Sequence, residues 1–398
     1  MTPTLQLVLA LGIIILAAKS MGYVSVRLGQ PAVLGELLAG LVLGPTMLDF
    51  FHLPIFSDKH LTEVILELGE LGVIFLMFIA GLEVDLQAML RAGKVSTLVG
   101  TLGVFTPIAL AIPAGMLFGY DLSNSIFIGI ILAATSVSIS AQTLLELGRL
   151  RSREGTVLLG AAVIDDVIVI IILSLFLAVS DAGTDLVQVG AIFAREILFI
   201  GVAVFIGAKL LPRLADWVSD LPISEGVMAL VLCVTLFYAW SAEQLGAIAA
   251  ITGAFLAGVF FARTSQRHAI ERGMHTLAYA FFVPIFFISI GLQANARDLR
   301  VEELWLTGAI IVVAIISKIV GCGLGAWLGK LSARQGLRVG IGMISRGEVG
   351  LIVAGIGLAS QTITDSVYSG VVVMVLVTTL ITPILLRWAF APAEVTDG

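Results

Sequence analysis

Runs of about twenty apolar residues recur along the whole 398-residue chain, divided by short polar breaks. A helix needs about 20 such residues to cross the hydrocarbon core of a bilayer. The breaks delimit thirteen candidate helices, at 4–27, 31–48, 62–81, 95–118, 122–147, 155–179, 189–212, 222–240, 244–262, 274–292, 304–328, 336–359 and 366–388. Hydrophobic residues fill 59% of positions and charged residues 13%, more apolar surface than a soluble domain can expose. The 42 glycines fit the same reading, because membrane helices pack closely through small residues. The expected class is an all-α polytopic membrane protein. The first run follows a leader without positive charge and continues past Lys19, so it reads as a retained helix rather than a signal peptide.

Basic residues test that division. Alternate loops carry Arg27; Arg91 and Lys94; Arg149, Arg151 and Arg153; Lys209 and Arg213; Arg263, Arg267 and Arg272; Lys330, Arg334 and Arg338; and Arg387. The opposite loops carry only Lys59, Arg297 and Arg300. The asymmetry puts the N-terminus outside and the C-terminus in the cytoplasm of a cell membrane. No basic run with interleaved aromatics points to nucleic acid. Cys233 and Cys322 lie in apolar segments, read as small core residues, and imply no disulfide framework. The four histidines fall in or beside loops, none paired at metal-ligand spacing.

An internal repeat runs through the chain. Gly35-Glu36-Leu37-Leu38-Ala39-Gly40 in the second run matches Gly253-Ala254-Phe255-Leu256-Ala257-Gly258 in the ninth. Phe78-Ile79-Ala80-Gly81-Leu82, reaching Asp85, matches Phe287-Ile288-Ser289-Ile290-Gly291-Leu292, reaching Asp298. An offset of seven helices is odd, so the copies point in opposite directions, an arrangement common in secondary transporters. The expected organisation is a first inverted repeat over 1–188, a linker helix over 189–221 and a second repeat over 222–398.

The sixth run carries Asp165-Asp166 two to three turns into an apolar helix. A charge there costs at least about 2.5 kcal/mol, so it persists with a partner, water or a task. Adjacent helical residues point about 100° apart, so one carboxylate can face a neighbouring helix and the other a cavity. Lys318 is the only lysine deep in a helix and the natural counter-ion, either as a purely structural salt bridge or as a participant in proton exchange. The fifth and twelfth runs are each interrupted by polar residues, Thr135-Ser136-Val137-Ser138 and Ser345-Arg346-Gly347-Glu348. Broken helices at corresponding positions mark a transporter's binding site, and hydroxyls with freed carbonyls suit a hard cation such as sodium. Arg346 and Glu348 also fit a supporting role, neutralising each other or the broken ends. Glu36, Glu67, Glu70 and Glu225 read as structural, and Pro284 as a kink in the tenth helix. An intramembrane aspartyl protease needs acids on two facing helices, which adjacent aspartates do not provide.

These segments resemble the monovalent cation:proton antiporter superfamily, most closely the NapA-type sodium/proton antiporters. The resemblance rests on Gly35-Glu36 with Leu38-Ala39-Gly40, Gly81-Leu82-Glu83, Ala134-Thr135-Ser136-Val137, Gly160 through Asp166, Pro284-Ile285-Phe286-Phe287, Lys318, and Arg346 through Ala354. It implies an NhaA/NapA-like fold in a homodimer, each protomer having a dimerisation domain and a mobile core containing the two broken helices. It further implies that Asp166 binds sodium or a proton and that Asp165 pairs with Lys318. Thr135 and Ser136 would assist at the ion site. The implied activity is not enzymatic: Na⁺, and with it Li⁺, would be exchanged for H⁺ in pH homeostasis, with no cofactor. Asp-Asp members are associated with electrogenic exchange. The related Kef potassium-efflux systems usually carry Gln-Asp and a C-terminal nucleotide-binding domain, which this sequence does not show; potassium exchange is the alternative.

Overall fold

A computed structural model describes residues 1–58, 60–83, 86–180, 186–293 and 304–391. The loop charges Lys59, Arg297 and Arg300 and the repeat residues Asp85 and Asp298 lie outside the described residues. Among those described, the regular structure is helical. In chain order the helices are α1 (Pro3–Arg27), α2 (Ala32–Leu43), α3 (Leu61–Glu83), α4 (Leu86–Leu117), α5 (Leu122–Ala133), α6 (Val137–Glu146), α7 (Arg153–Ser180), α8 (Leu186–Lys209) and α9 (Leu211–Ser219). They continue with α10 (Gly226–Gln244), α11 (Ala250–Phe261), α12 (Arg267–Leu277), α13 (Val283–Gln293), α14 (Leu304–Leu328), α15 (Ala333–Gly342), α16 (Glu348–Ala359) and α17 (Asp365–Phe390).

The apolar runs all become helix, but not all at full length. Among the described residues, ten helical stretches are long and apolar enough to cross a membrane, with α5–α6, α8–α9 and α12–α13 each acting as one. The short apolar helices are α2, α11 and α16. α2 stops at Gly44-Pro45, well before residue 48, and α11 starts at Ala250 rather than 244. The chain there passes through Ala247 at φ 56°, a bend written in apolar residues and so invisible to hydropathy. In the tenth helix Pro284 lacks an amide to donate. The widened π turn Ala278–Phe282 just before it is the local adjustment that such a proline calls for. Cys322 is buried as expected, but Cys233 is exposed on α10.

Packing sorts the helices into two bundles. α4 lies against α5, α7 and α14, and α14 against α15 and α17. Separately, α2 packs on α1 and α13, α3 on α11 and α13, and α10 on α11. The bundles meet chiefly where α6 touches α2 and α3 and where α17 touches α2. The pairings mirror the sequence repeat: α1 with α2 corresponds to α10 with α11, and α2 with α13 corresponds to α11 with α3. Matching glycines make the matching contacts. A Cβ on Gly40 would lie 2.6 Å from the Ile288 carbonyl oxygen, and one on Gly258 would strike the Phe78 carbonyl oxygen. These close approaches fix the two crossings without a side chain between the backbones.

The loops rich in arginine gather at one end. Arg387 lies beside Gly29, Arg151 donates to the Glu83 carbonyl, and Arg338 pairs with Glu154 at 2.8 Å.

Candidate functional site

Both polar interruptions are real breaks. Helix ends at Ala133 and resumes at Val137, and again ends at Gly342 and resumes at Glu348. The breaks touch, because the Ser136 amide donates to the Ser345 carbonyl over 2.8 Å. Two helix C-termini with orphan carbonyls and two N-termini with orphan amides are thus brought into the interior. Side chains satisfy several of these groups. Arg346, fully buried, donates from its guanidinium to the carbonyls of Leu132 (2.7 Å) and Ile344. Its own carbonyl accepts from Thr379 Oγ1 at 2.8 Å, and Ser140 Oγ donates to the Gly342 carbonyl at 2.5 Å. Arg346 therefore caps the negative end of α5. Of its two sequence readings, the helix ends are what it bonds among the described residues. Glu348 opens α16, and its side chain lies outside the described residues. Thr135 Oγ1 donates to the Ala133 carbonyl at 3.3 Å, and Ser136 and Ser138 share a 3.0 Å hydrogen bond, so these buried hydroxyls line the first break.

α7 carries the aspartates past this crossing. Val169, three residues beyond Asp166, packs with Ala133 and Ala134 of the first break. Asp165 is fully buried, and its Oδ1 accepts from Lys318 Nζ at 2.9 Å. Its Oδ2 has no hydrogen-bond partner among the described residues. Asp166 points elsewhere, and its Oδ2 accepts from Thr252 Oγ1 at 3.1 Å. The roughly 100° between successive helical side chains separates the two as the sequence permitted. Lys318 is itself fully buried on α14, so this ion pair is removed from water on both sides. Desolvation makes such a pair a weak net source of stability, yet breaking it strands a charge. Thr252 escaped the sequence reading, because one threonine in an apolar stretch carries no signal of its own.

From the end where α3 begins, a cleft of about 810 Å³, open mouth included, runs between α3, α13 and α16 past Glu70 and Ser289 to Gly347 at the second break. At the arginine-rich end lies a polar network. Glu146 accepts from the amides of Ala32 (2.6 Å) and Val33 (3.2 Å), capping α2. Gln142 bridges Glu146 at 2.8 Å and the Tyr279 hydroxyl at 2.7 Å, and Lys19 pairs with Glu36 at 2.8 Å. Glu36 is therefore bound structurally, as read. The placement of two histidines is corrected, since His268 and His275 lie within α12; the His275 ring nitrogen, Glu271 and Glu83 bring ligand atoms within 4.8 Å of one another. Arg151 Nε lies 3.8 Å from Glu83 and already supplies a cation there.

The family described as "Sodium/hydrogen exchanger, transmembrane" matches residues 13–391. The Na(+)/H(+)-K(+) antiporter GerN of Bacillus cereus is 39% identical over 385 residues, covering 96% of each chain. A Na(+)/H(+) antiporter of Enterococcus hirae is 35% identical, over 94% of this chain and 96% of that protein. The high-affinity Na(+)/H(+) antiporter NhaS3 of Synechocystis is 34% identical over 97% and 90%. Among solved structures, MjNhaP1 of Methanocaldococcus jannaschii superimposes over 97% of both chains with a TM-score of 0.69 at 16% identity, a likeness of fold.

Proposed function

The chain belongs to the sodium/hydrogen exchanger family, and on that premise we propose that it is a secondary active antiporter exchanging cytoplasmic Na⁺ for external H⁺. The observation that carries this reading is the splitting of the aspartate pair beside two crossed helix breaks. Asp165 is engaged by Lys318, while Asp166 lies at the boundary between the two bundles. Na⁺ and H⁺ compete for Asp166, with Asp165 and the hydroxyls and carbonyls near Thr135 and Ser136 assisting. A carboxylate that takes one or the other, never both, couples the two fluxes.

The bundle containing α4–α7 and α14–α17 is the moving core, and the bundle containing α1–α3 and α10–α13 is the scaffold through which two protomers pair. The mirrored helix contacts support an inverted-repeat division at 1–188 and 222–398, with 189–221 as linker. Basic loops gathered at one end support a cytoplasmic C-terminus in the cell membrane. With the open cleft at the other end, this arrangement is outward-facing. Exchange is electrogenic, with the Lys318–Asp165 pair opening in each cycle; Li⁺ is a second substrate and no cofactor takes part.

The test is Asp166→Asn in everted vesicles. Na⁺-dependent proton movement should vanish while the protein still purifies as a folded species, and wild-type exchange by this variant would refute the reading. A transport rate indifferent to membrane potential would refute electrogenicity alone. The 39% identity to an antiporter whose name includes K⁺ favours potassium as the second reading. Vesicle assays with Na⁺, Li⁺ and K⁺ side by side separate the two.

A further inference from the structure

We propose that Thr252 is a positioning residue that locks the ion-free transporter, and so keeps cation and proton fluxes coupled; the inference rests on the antiport reading above. Thr252 is buried in the first turn of α11, and its hydroxyl donates to Asp166 Oδ2 over 3.1 Å. The threonines Thr143 and Thr235 bond back to carbonyls four residues earlier in their own helices. Thr252 bonds instead to a different helix, α7.

That bond crosses from one bundle to the other. α11 packs with α3 and α10, whereas α7 packs with α4. The crevice the two side chains share is otherwise lined by apolar residues, among them Met77, Val137, Ile251 and Phe255. A hydrogen bond from a hydroxyl to a carboxylate in so apolar a place is stronger than one in water. For the core to move with no ion aboard, this bond must break. A cation drawn onto Asp166 takes over the carboxylate oxygen, and the hydroxyl then holds nothing. The empty core is thereby kept docked and the loaded core is released. Without the lock, the empty site would recross the membrane unloaded, and the antiporter would pass cations without protons.

The test uses full-length wild type, T252V and T252S in proteoliposomes. Radioactive Na⁺ uptake is driven by a negative-inside potential set with K⁺ and valinomycin. That potential favours an inward cation leak and opposes Na⁺ uptake by electrogenic exchange, which carries more protons out than Na⁺ in. T252V should show uptake raised roughly ten- to hundredfold, the size expected for losing one hydrogen bond to a charged group. Its apparent KM for Na⁺ should fall, because the hydroxyl no longer competes for the carboxylate. T252S restores the donor and should behave as wild type. T252A provides the same readout if valine packs poorly. Uptake by both hydroxyl-free variants at the wild-type level overturns the lock, as does a raised KM without leak, the mark of a cation ligand. Wild-type liposomes lacking Na⁺/H⁺ exchange overturn the antiport reading and the lock with it; normal exchange with no leak in T252V overturns the lock alone.

Discussion

The guanidinium of Arg346 reaches out of one broken helix and donates to the carbonyl of Leu132, 2.7 Å away, in the last turn of the other. Its charge faces the negative end of the α5 dipole, and its planar fork also serves the Ile344 carbonyl. Arg346→Ala leaves buried carbonyls unpaired, each costing about 1–3 kcal/mol. Arg346→Lys keeps the charge but loses the fork. Melting temperatures in detergent should fall in the order wild type, Arg346→Lys, Arg346→Ala. An alanine variant as stable as the wild type would show that the cap is idle.

The Lys318–Asp165 pair should behave as a unit. Lys318→Ala strands the buried Asp165 carboxylate and should destabilise the protein by about 3–5 kcal/mol. Lys318→Ala with Asp165→Ala removes both charges and should regain much of that loss. Additive destabilisation in this double-mutant cycle would mean that the two do not interact energetically.

Sodium should stabilise the folded protein through Asp166. A ligand present at 100 times its Kd adds about 2.7 kcal/mol to folding stability. The melting temperature of the wild type should therefore rise with NaCl over an equal concentration of choline chloride, and that of Asp166→Asn should not. Equal rises in both would place the cation elsewhere.

Glycines of different surroundings should differ in tolerance. A Cβ on Gly40 would press on the backbone of Ile288, while one on Gly12 meets nothing within 4 Å. Gly40→Ala should cost about 1–3 kcal/mol through overpacking, and Gly12→Ala should lie within about 0.5 kcal/mol of the wild type. Thermal melts of the two variants check this.

Where physics leaves a single escape, the sequence was enough. An aspartate pair and one lysine deep in apolar helices need partners, and Lys318 was the one lysine at that depth to meet Asp165. The breaks in the fifth and twelfth helices were legible from their clustered polar residues. Partners that are themselves unremarkable were not. Leu132 offers Arg346 only a main-chain carbonyl, which every residue has. Thr252 is one hydroxyl among many, and its role depends on α11 starting at Ala250, after a bend spelled in glycine, alanine and isoleucine. The roles of Asp165 and Asp166 were equally open from helix geometry and were divided by the family resemblance.

The Lys318–Asp165 pair also sets a timetable for biosynthesis. The two residues are 153 apart in the chain, so α7 leaves the ribosome long before its counter-ion exists. At about 5–20 residues per second that interval is roughly 8–30 s. During it the growing membrane segment holds an acidic helix that has yet to meet its lysine, so the insertion machinery must shelter it. Chains truncated before residue 318 never complete the pair.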